Sequence, residues 1–355
     1  MSGLTLRLDI DRWRSHLAAV AAATPGLVPV AKGNGYGFGL ARLAAESSRL
    51  GVDTIAVGLA SEVAAVRDHF PGDIVIMTPW RADDDRARTL LSDPRVITTV
   101  SGVEDLATIV SLGADAGPKP RVIIEVITSM LRHGIPPDDL AVVGDLLDRI
   151  SLQGWMIHLP LLESGRSAEA ERLGRAALGV APAPLWISHL PVIEATAVAD
   201  RLAHPGEPPV PVRLRVGTGL WLGAPGAWTA VATVLDVHPV RRGDRAGYRQ
   251  RKINQDGWLV ILAGGTAHGV GLEAPTPAAT GRQRLVALAQ GGLEATGRAL
   301  SPYTIGGKKR WFLEPPHMQT SLVLLPASVP PPKVGDDVPV ELRLTTAVVD
   351  QVVEV

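Results

Sequence analysis

Residues 212–223 read VRLRVGTGLWLG. A five-residue strand candidate, Val212 to Val216, runs into the tight turn Gly217-Thr218-Gly219 and then an apolar close at Gly223. This segment ends a series. Working back from it, apolar runs of strand length recur at Leu185 to His189, Trp155 to Leu159, Val122 to Ile127, Val96 to Val100, Ile74 to Thr78, Thr54 to Leu59 and Leu27 to Ala31. Between them lie segments with helical spacing, among them LARLAAESSRLG, VEDLATIVSLG, SAEAERLGRAAL and IEATAVADRLA, several opened by an Asp or Ser suited to capping.

Eight β/α alternations with short connections fit a closed parallel barrel better than an open doubly wound sheet, which rarely uses eight equal units. A helix over Asp11 to Thr24 is expected to plug or flank it. Beyond Gly223 the pattern changes. AWTAVATVLDVHPVRRGDRAGYRQRK, GWLVILAGG, RLVALAQGG, SPYTIGGKKRWFL, TSLVLLPA and VPVELRL are short β-like runs parted by Gly, Pro and charged turns. The Pro-rich stretch PASVPPPKVGDD reads as a rigid connector. The expected fold is therefore α/β: a parallel (β/α)8 TIM barrel over residues 1–223, followed by a C-terminal all-β domain over 224–355.

Composition excludes several functions. The 355 residues carry a formal net charge of -1, so no long-range field favours nucleic acid or an acidic membrane surface. No apolar run reaches the length of a membrane span, and MSGLTLRLDIDRW carries charge where a signal peptide needs an apolar core, so a cytoplasmic location is expected. The absence of cysteine removes disulfides, thiolate nucleophiles and Cys-ligated metal. None of the nine histidines forms an HExxH-like pair, and no metal is expected.

In a β/α barrel the active face is built at the C-terminal ends of the strands. Lys32 follows the first strand in VPVAKGNGYGFG, Arg132 follows the fifth, His158 ends the sixth, Ser188 and His189 end the seventh, and Arg215 ends the eighth. Singly, each is explained as well by capping or solvation. Together they put reactive groups from five strands on one rim. A lysine in such a cup, with a glycine turn after the last strand, suggests an aldehyde cofactor with a phosphate handle.

AKGNGYGFG resembles the KANAYGHG signature of the alanine racemase family, fold type III of the pyridoxal 5'-phosphate enzymes. SMLRHG, GWMIHLP, RVGTGLWLG and KVGDDVPV are similar, in order, to further family segments, so the resemblance spans nearly the whole chain. It implies pyridoxal 5'-phosphate as cofactor, with Lys32 as the Schiff-base lysine and a catalytic base, and Tyr36 at the phosphate. Arg215 would face the pyridine nitrogen and His158 would buttress it. Gly217, Thr218 and one of Ser188 or His189 would bind phosphate, and Arg132 would serve the substrate carboxylate. Glu125 takes a position where many members carry a carbamylated lysine, and a Glu125–Arg132 pair would keep that arginine oriented. Strand alternation alone leaves open whether Glu125 faces inward. The resemblance also implies a homodimer with an active site shared between subunits, acting on a small amino-acid-like substrate.

The resemblance weakens toward the C-terminus. The family's second base is a tyrosine in GYxDGxxR; here the stretch is AGGTAHGVG, placing Thr266 at the tyrosine and His268 at the aspartate. Threonine has no accessible pKa for proton abstraction, whereas imidazole does, so His268 is the candidate second base. The family's MDQ segment reads HMQTS, putting Met318 and Gln319 at the substrate carboxylate. The expected function is a racemase- or epimerase-like isomerase distinct from a standard alanine racemase. The alternative is a cofactor-binding relative without racemase activity. A decarboxylase is disfavoured by the missing cysteine, and an aldol-type sugar-phosphate enzyme by the attached β domain.

Overall fold

A computed structural model describes residues 3–112, 118–161, 164–272 and 299–355. The RLVALAQGG run lies outside the described residues. The chain divides into two compact units, one of Arg14–Gly223 and one of Met1–Trp13 with Ala224–Val355. The expected division at 223/224 differs from these units in the first thirteen residues. The reason is strand β1, Leu4–Leu8, which the sequence reading did not mark. Its three leucines are fully buried, and it pairs with strands from the other end of the chain.

After helix α1, Ile10–Ala23, come the barrel strands β2 (Leu27–Pro29), β3 (Thr54–Val57), β4 (Asp73–Ile76), β5 (Val96–Val100), β6 (Arg121–Val126), β7 (Ser151–His158), β8 (Leu185–Ser188) and β9 (Val212–Val216). All pair in parallel in the order β2-β9-β8-β7-β6-β5-β4-β3, and a single bridge from Val30 to Ala56 nearly closes the ring. Helices α2 (Leu40–Arg49), α3 (Val63–Arg67), α4 (Asp85–Leu90), α5 (Val103–Leu112), α6 (Leu140–Gly144), α7 (Arg166–Leu178) and α8 (Val192–Leu202) follow successive strands from β2 to β8, and the short α9, Thr218–Trp221, follows β9.

The barrel interior is one cluster containing Val28, Ala56, Val75, Ile97, Ile123, Met156 and Trp186, a residue from each of seven strands. Because strand side chains alternate with a period of two, the residues two further along point the same way, toward the C-terminal mouth. On β6, β7 and β8 these are Glu125, His158 and Ser188. The apolar layer beneath makes a closed floor, so these polar groups stand on it.

The second unit holds a mostly antiparallel sheet. Its strands are β10 (Trp228–Val240), β13 (Gly257–Ala263), β14 (Leu300–Ile305), β15 (Lys308–Phe312), β16 (Thr320–Pro326), β17 (Asp337–Pro339) and β18 (Gln351–Glu354), with β11 (Arg245–Ala246) and β12 (Arg251–Lys252) forming a separate hairpin. The order is β14-β15-β16-β13-β10-β1-β18, with β17 against β10. SPYTIGGKKRWFL folds as the β14–β15 hairpin because Gly306 and Gly307 adopt the left-handed conformations (φ 59° and 73°) that a tight two-residue turn demands. No helix among the described residues is long and apolar enough to cross a membrane.

Candidate active site

Lys32 stands just beyond β2, exposed at the mouth of the barrel. Its loop is tied by Glu62, whose carboxylate accepts from the backbone amides of Gly33 (2.7 Å), Gly58 (2.7 Å) and Leu59 (3.2 Å). One side chain thus joins the exits of β2 and β3. Partial burial lowers the Lys32 pKa most, the Arg132 and Arg215 guanidiniums lower it further, and Glu62 opposes them. An amine in that field loses its proton more readily than a surface lysine.

The glycine-rich loop then turns back on the barrel. Tyr36 holds a left-handed backbone (φ 54°) that a non-glycine residue adopts at a cost, and its ring is buried. Its hydroxyl hydrogen-bonds the Thr218 side chain and lies so close to Gly217 that a Cβ there would overlap it. Burial pushes the Tyr36 pKa up, so the group is a neutral donor. The Trp221 indole donates to the Val30 carbonyl at 2.8 Å, joining α9 to the end of β2. The first and last barrel strands therefore meet around a phenol, a hydroxyl and a glycine backbone.

Arg215 is the buried cation of the mouth. It donates to Met156 Sδ (3.2 Å) and the Ile157 carbonyl (3.4 Å), and its Nη2 faces His158 Nδ1 at 3.4 Å. Burial lowers the Arg215 pKa to about 10, leaving it protonated at neutral pH. His158 is driven to about 2, by burial first and Arg215 second, so its imidazole is neutral and its Nδ1 can accept from the guanidinium. The His158 and His189 rings meet edge to face, with centroids 5.0 Å apart. His189 has φ 62°, and its carbonyl accepts from Arg166 at 2.6 Å. Ser188 is buried beside it in sequence.

Glu125 is 1% exposed, which resolves the question that alternation left open. It lies 3.8 Å from the half-exposed Arg132, an ion pair without a hydrogen bond. Burial raises its pKa, while Arg215 and then Arg132 pull it down. Glu125 Oε2 and Arg215 Nε are both buried without a hydrogen-bond partner among the described residues. The Arg132 loop is fastened by Glu169 of α7, which accepts from the amide and hydroxyl of Ser129.

In the β unit the expected site residues fall in two adjoining loops. Thr266 directs its amide to the His317 carbonyl at 2.8 Å and its hydroxyl to the same oxygen at 3.4 Å, and Met318 is 73% exposed. The Gln319 carbonyl accepts from Gly264. His268 differs from the open base that its position suggested. It is buried, its Nδ1 accepts from the Gly265 amide at 3.2 Å, and its Nε2 lies 3.1 Å from Asp350 Oδ1. Both nitrogens are engaged in holding the β13 exit against the chain before β18, leaving no lone pair for a substrate.

Sequence reasoning missed Glu62, Glu169 and the Glu314–His317 contact. Each joins segments far apart in the chain or lies in an irregular turn, where periodicity carries no signal. For the last, the close spacing in LEPPH was the only cue.

A family model described as the alanine racemase N-terminal domain matches residues 8–225. The alanine racemase of Corynebacterium efficiens is 27% identical over 301 residues, 76% of this chain and 77% of that one. The alanine racemase of Mycolicibacterium vanbaalenii is 24% identical over 291 residues, 75% and 72%. Among solved structures, an alanine racemase from Bartonella henselae with covalently bound pyridoxal phosphate superposes with a TM-score of 0.73 at 15% identity, covering 100% of both chains. That of Clostridium difficile 630 gives 0.73 at 16%, covering 99% and 96%. At such identities the structural likeness speaks to the fold.

Proposed function

This chain belongs to the alanine racemase family, and on that premise we propose that it is a pyridoxal 5'-phosphate-dependent isomerase of the racemase or epimerase kind, acting on an amino acid and distinct from a standard alanine racemase. The observation that carries the reading is the meeting of the Tyr36 hydroxyl with Gly217 and Thr218 in the same mouth as Lys32. Neutral hydroxyl donors and a side-chain-free backbone suit a phosphate, and an amine of lowered pKa suits the cofactor's aldehyde.

The other residues fit the same group. Arg215 has an Nε without a hydrogen-bond partner among the described residues and keeps its proton, so it can stand against a ring nitrogen without protonating it. Neutral His158 accepts from Arg215 and steadies it, and one of Ser188 or His189 supplies a further polar group for the phosphate. Arg132 is the half-exposed cation for a substrate carboxylate, with Glu125 behind it. When bound, the cofactor supplies an electron sink for the pair left at the α-carbon. Lys32, deprotonated more readily than an ordinary lysine, takes the α-proton. The enzyme is a homodimer in this reading, each β unit presenting Thr266, Met318 and Gln319 to the other copy's barrel.

The occupied nitrogens of His268 and the hydroxyl-only chemistry of Thr266 favour a second reading, a cofactor-binding homologue that does not racemise. One experiment separates the two. The purified chain is examined for the visible absorbance of cofactor joined to Lys32 and for its loss in Lys32→Ala, and α-proton exchange in heavy water is then followed over a panel of amino acids. Absence of the absorbance refutes the cofactor, and absorbance without exchange selects the binding protein.

A further inference from the structure

Where the proton-transfer groups are fixed, inverting a stereocentre takes one on each face, because the proton removed from one face is replaced on the other. If Lys32 is one, the other must carry a titratable atom open to substrate, and the isomerase reading above leaves it unassigned. Tyr303 is fully buried, its hydroxyl bonded to the Ala263 and Gly264 carbonyls and Ser321, and His268 is occupied.

His317 is built differently. Its Nε2 lies 2.7 Å from Oε1 of Glu314, which is buried and also accepts from the amides of Tyr248 (2.9 Å) and Arg249 (3.2 Å). Burial pushes the Glu314 carboxyl up, but the bonds from His317 and the two amides outweigh it and hold it below the usual carboxylate range. An ionised carboxylate only accepts, so Nε2 carries the hydrogen and Nδ1 the lone pair. Nδ1 has no hydrogen-bond partner among the described residues. The ring is held from one side by Tyr248, which is itself 85% exposed; the centroids are 4.2 Å apart at 34°. Both residues line a cavity of ≈ 590 Å³ with Thr266, Met318 and Gln319.

We propose that His317, oriented by Glu314 and Tyr248, is the second proton-transfer residue and works through Nδ1 at the barrel mouth of a second copy. Starting from neutral His317, the α C–H bond breaks toward Nδ1, and the pair it leaves forms a new bond to a proton delivered by Lys32 Nζ on the opposite face, so that His317 ends as the imidazolium and Lys32 as the amine. In the other direction the roles exchange. One proton leaves and one arrives, and nothing is oxidised.

Two measurements test this. In the full chain as purified, diethyl pyrocarbonate followed by peptide mapping modifies His317 at least tenfold faster than His268; equal or slower reaction overturns an open Nδ1. In heavy water the wild type exchanges the α-proton of both enantiomers of its amino acid, while His317→Gln keeps the Lys32-linked absorbance and loses exchange of one enantiomer at least a hundredfold. Glu314→Gln weakens exchange of the same enantiomer about tenfold. If His317→Gln retains both exchanges, or loses both with its absorbance intact, the assignment is wrong while the isomerase reading stands. A wild type that exchanges neither enantiomer removes the isomerase reading and this assignment together.

Discussion

The Tyr36 hydroxyl sits where a side chain on Gly217 would have to begin. Residue 36 belongs to the loop after the first barrel strand and residue 217 to the turn after the last, so the contact joins the two ends of the barrel sequence. It also explains why VGTG needs glycine at its first turn position, where a Cβ would displace the phenol.

Gly217→Ala should therefore push Tyr36 off its partner while the barrel stays folded. Overpacking of this kind costs about 1–3 kcal/mol. Cofactor affinity, followed by absorbance titration, should fall at least tenfold, with far-UV circular dichroism unchanged. Unaltered affinity would show that Tyr36 does not serve the phosphate.

His158 makes stability depend on pH in a definite direction. Its folded-state pKa is about 2 against an ordinary value of 6.5. Below about pH 6.5 the unfolded chain takes up a proton that the folded chain refuses, so this contribution is present above that pH and is lost progressively as pH falls toward 2. The slope is at most about 1.4 kcal/mol per pH unit, reduced by solvent reaching the half-buried ring. Thermal melts of wild type and His158→Gln should show the wild-type advantage shrinking between pH 7 and pH 5. A constant gap would contradict the assigned neutral imidazole.

Glu125→Gln removes the buried carboxyl that faces Arg215 and Arg132. Arg132 loses its partner, and KM for the amino acid should rise about tenfold, the order expected for an orienting charge near a binding group, with kcat changed less. Steady-state kinetics at fixed pH decides this, and a change confined to kcat would move Glu125 from positioning Arg132 to supporting Arg215.

Glu62→Gln tests the clamp at the base of the lysine loop. Three amides share the carboxylate, and an amide side chain offers only one acceptor oxygen. Urea unfolding should register a loss of about 1–3 kcal/mol. The Lys32 loop should become more susceptible to proteolysis, read by mass spectrometry of the first cuts.

The eight-fold alternation of apolar strands and amphipathic helices, the change at Gly223, the lysine at the end of the first strand and the glycine turn after the last were all legible in the order of residues, because periodicity and turn chemistry are local. They were sufficient for the barrel, for the family and for the cofactor that its motifs imply. Three features were decided only by tertiary structure. Leu4–Leu8 joins the β unit because its buried leucines find β10 and β18, more than two hundred residues away. Glu125 faces the barrel interior because strand register, set by neighbours on both sides, puts it above Ile123. His268 has both ring nitrogens engaged, while His317 keeps Nδ1 without a hydrogen-bond partner among the described residues, because the groups that meet each ring, Asp350 and the Gly265 amide in one case and Glu314 in the other, are brought there by packing that no local pattern encodes.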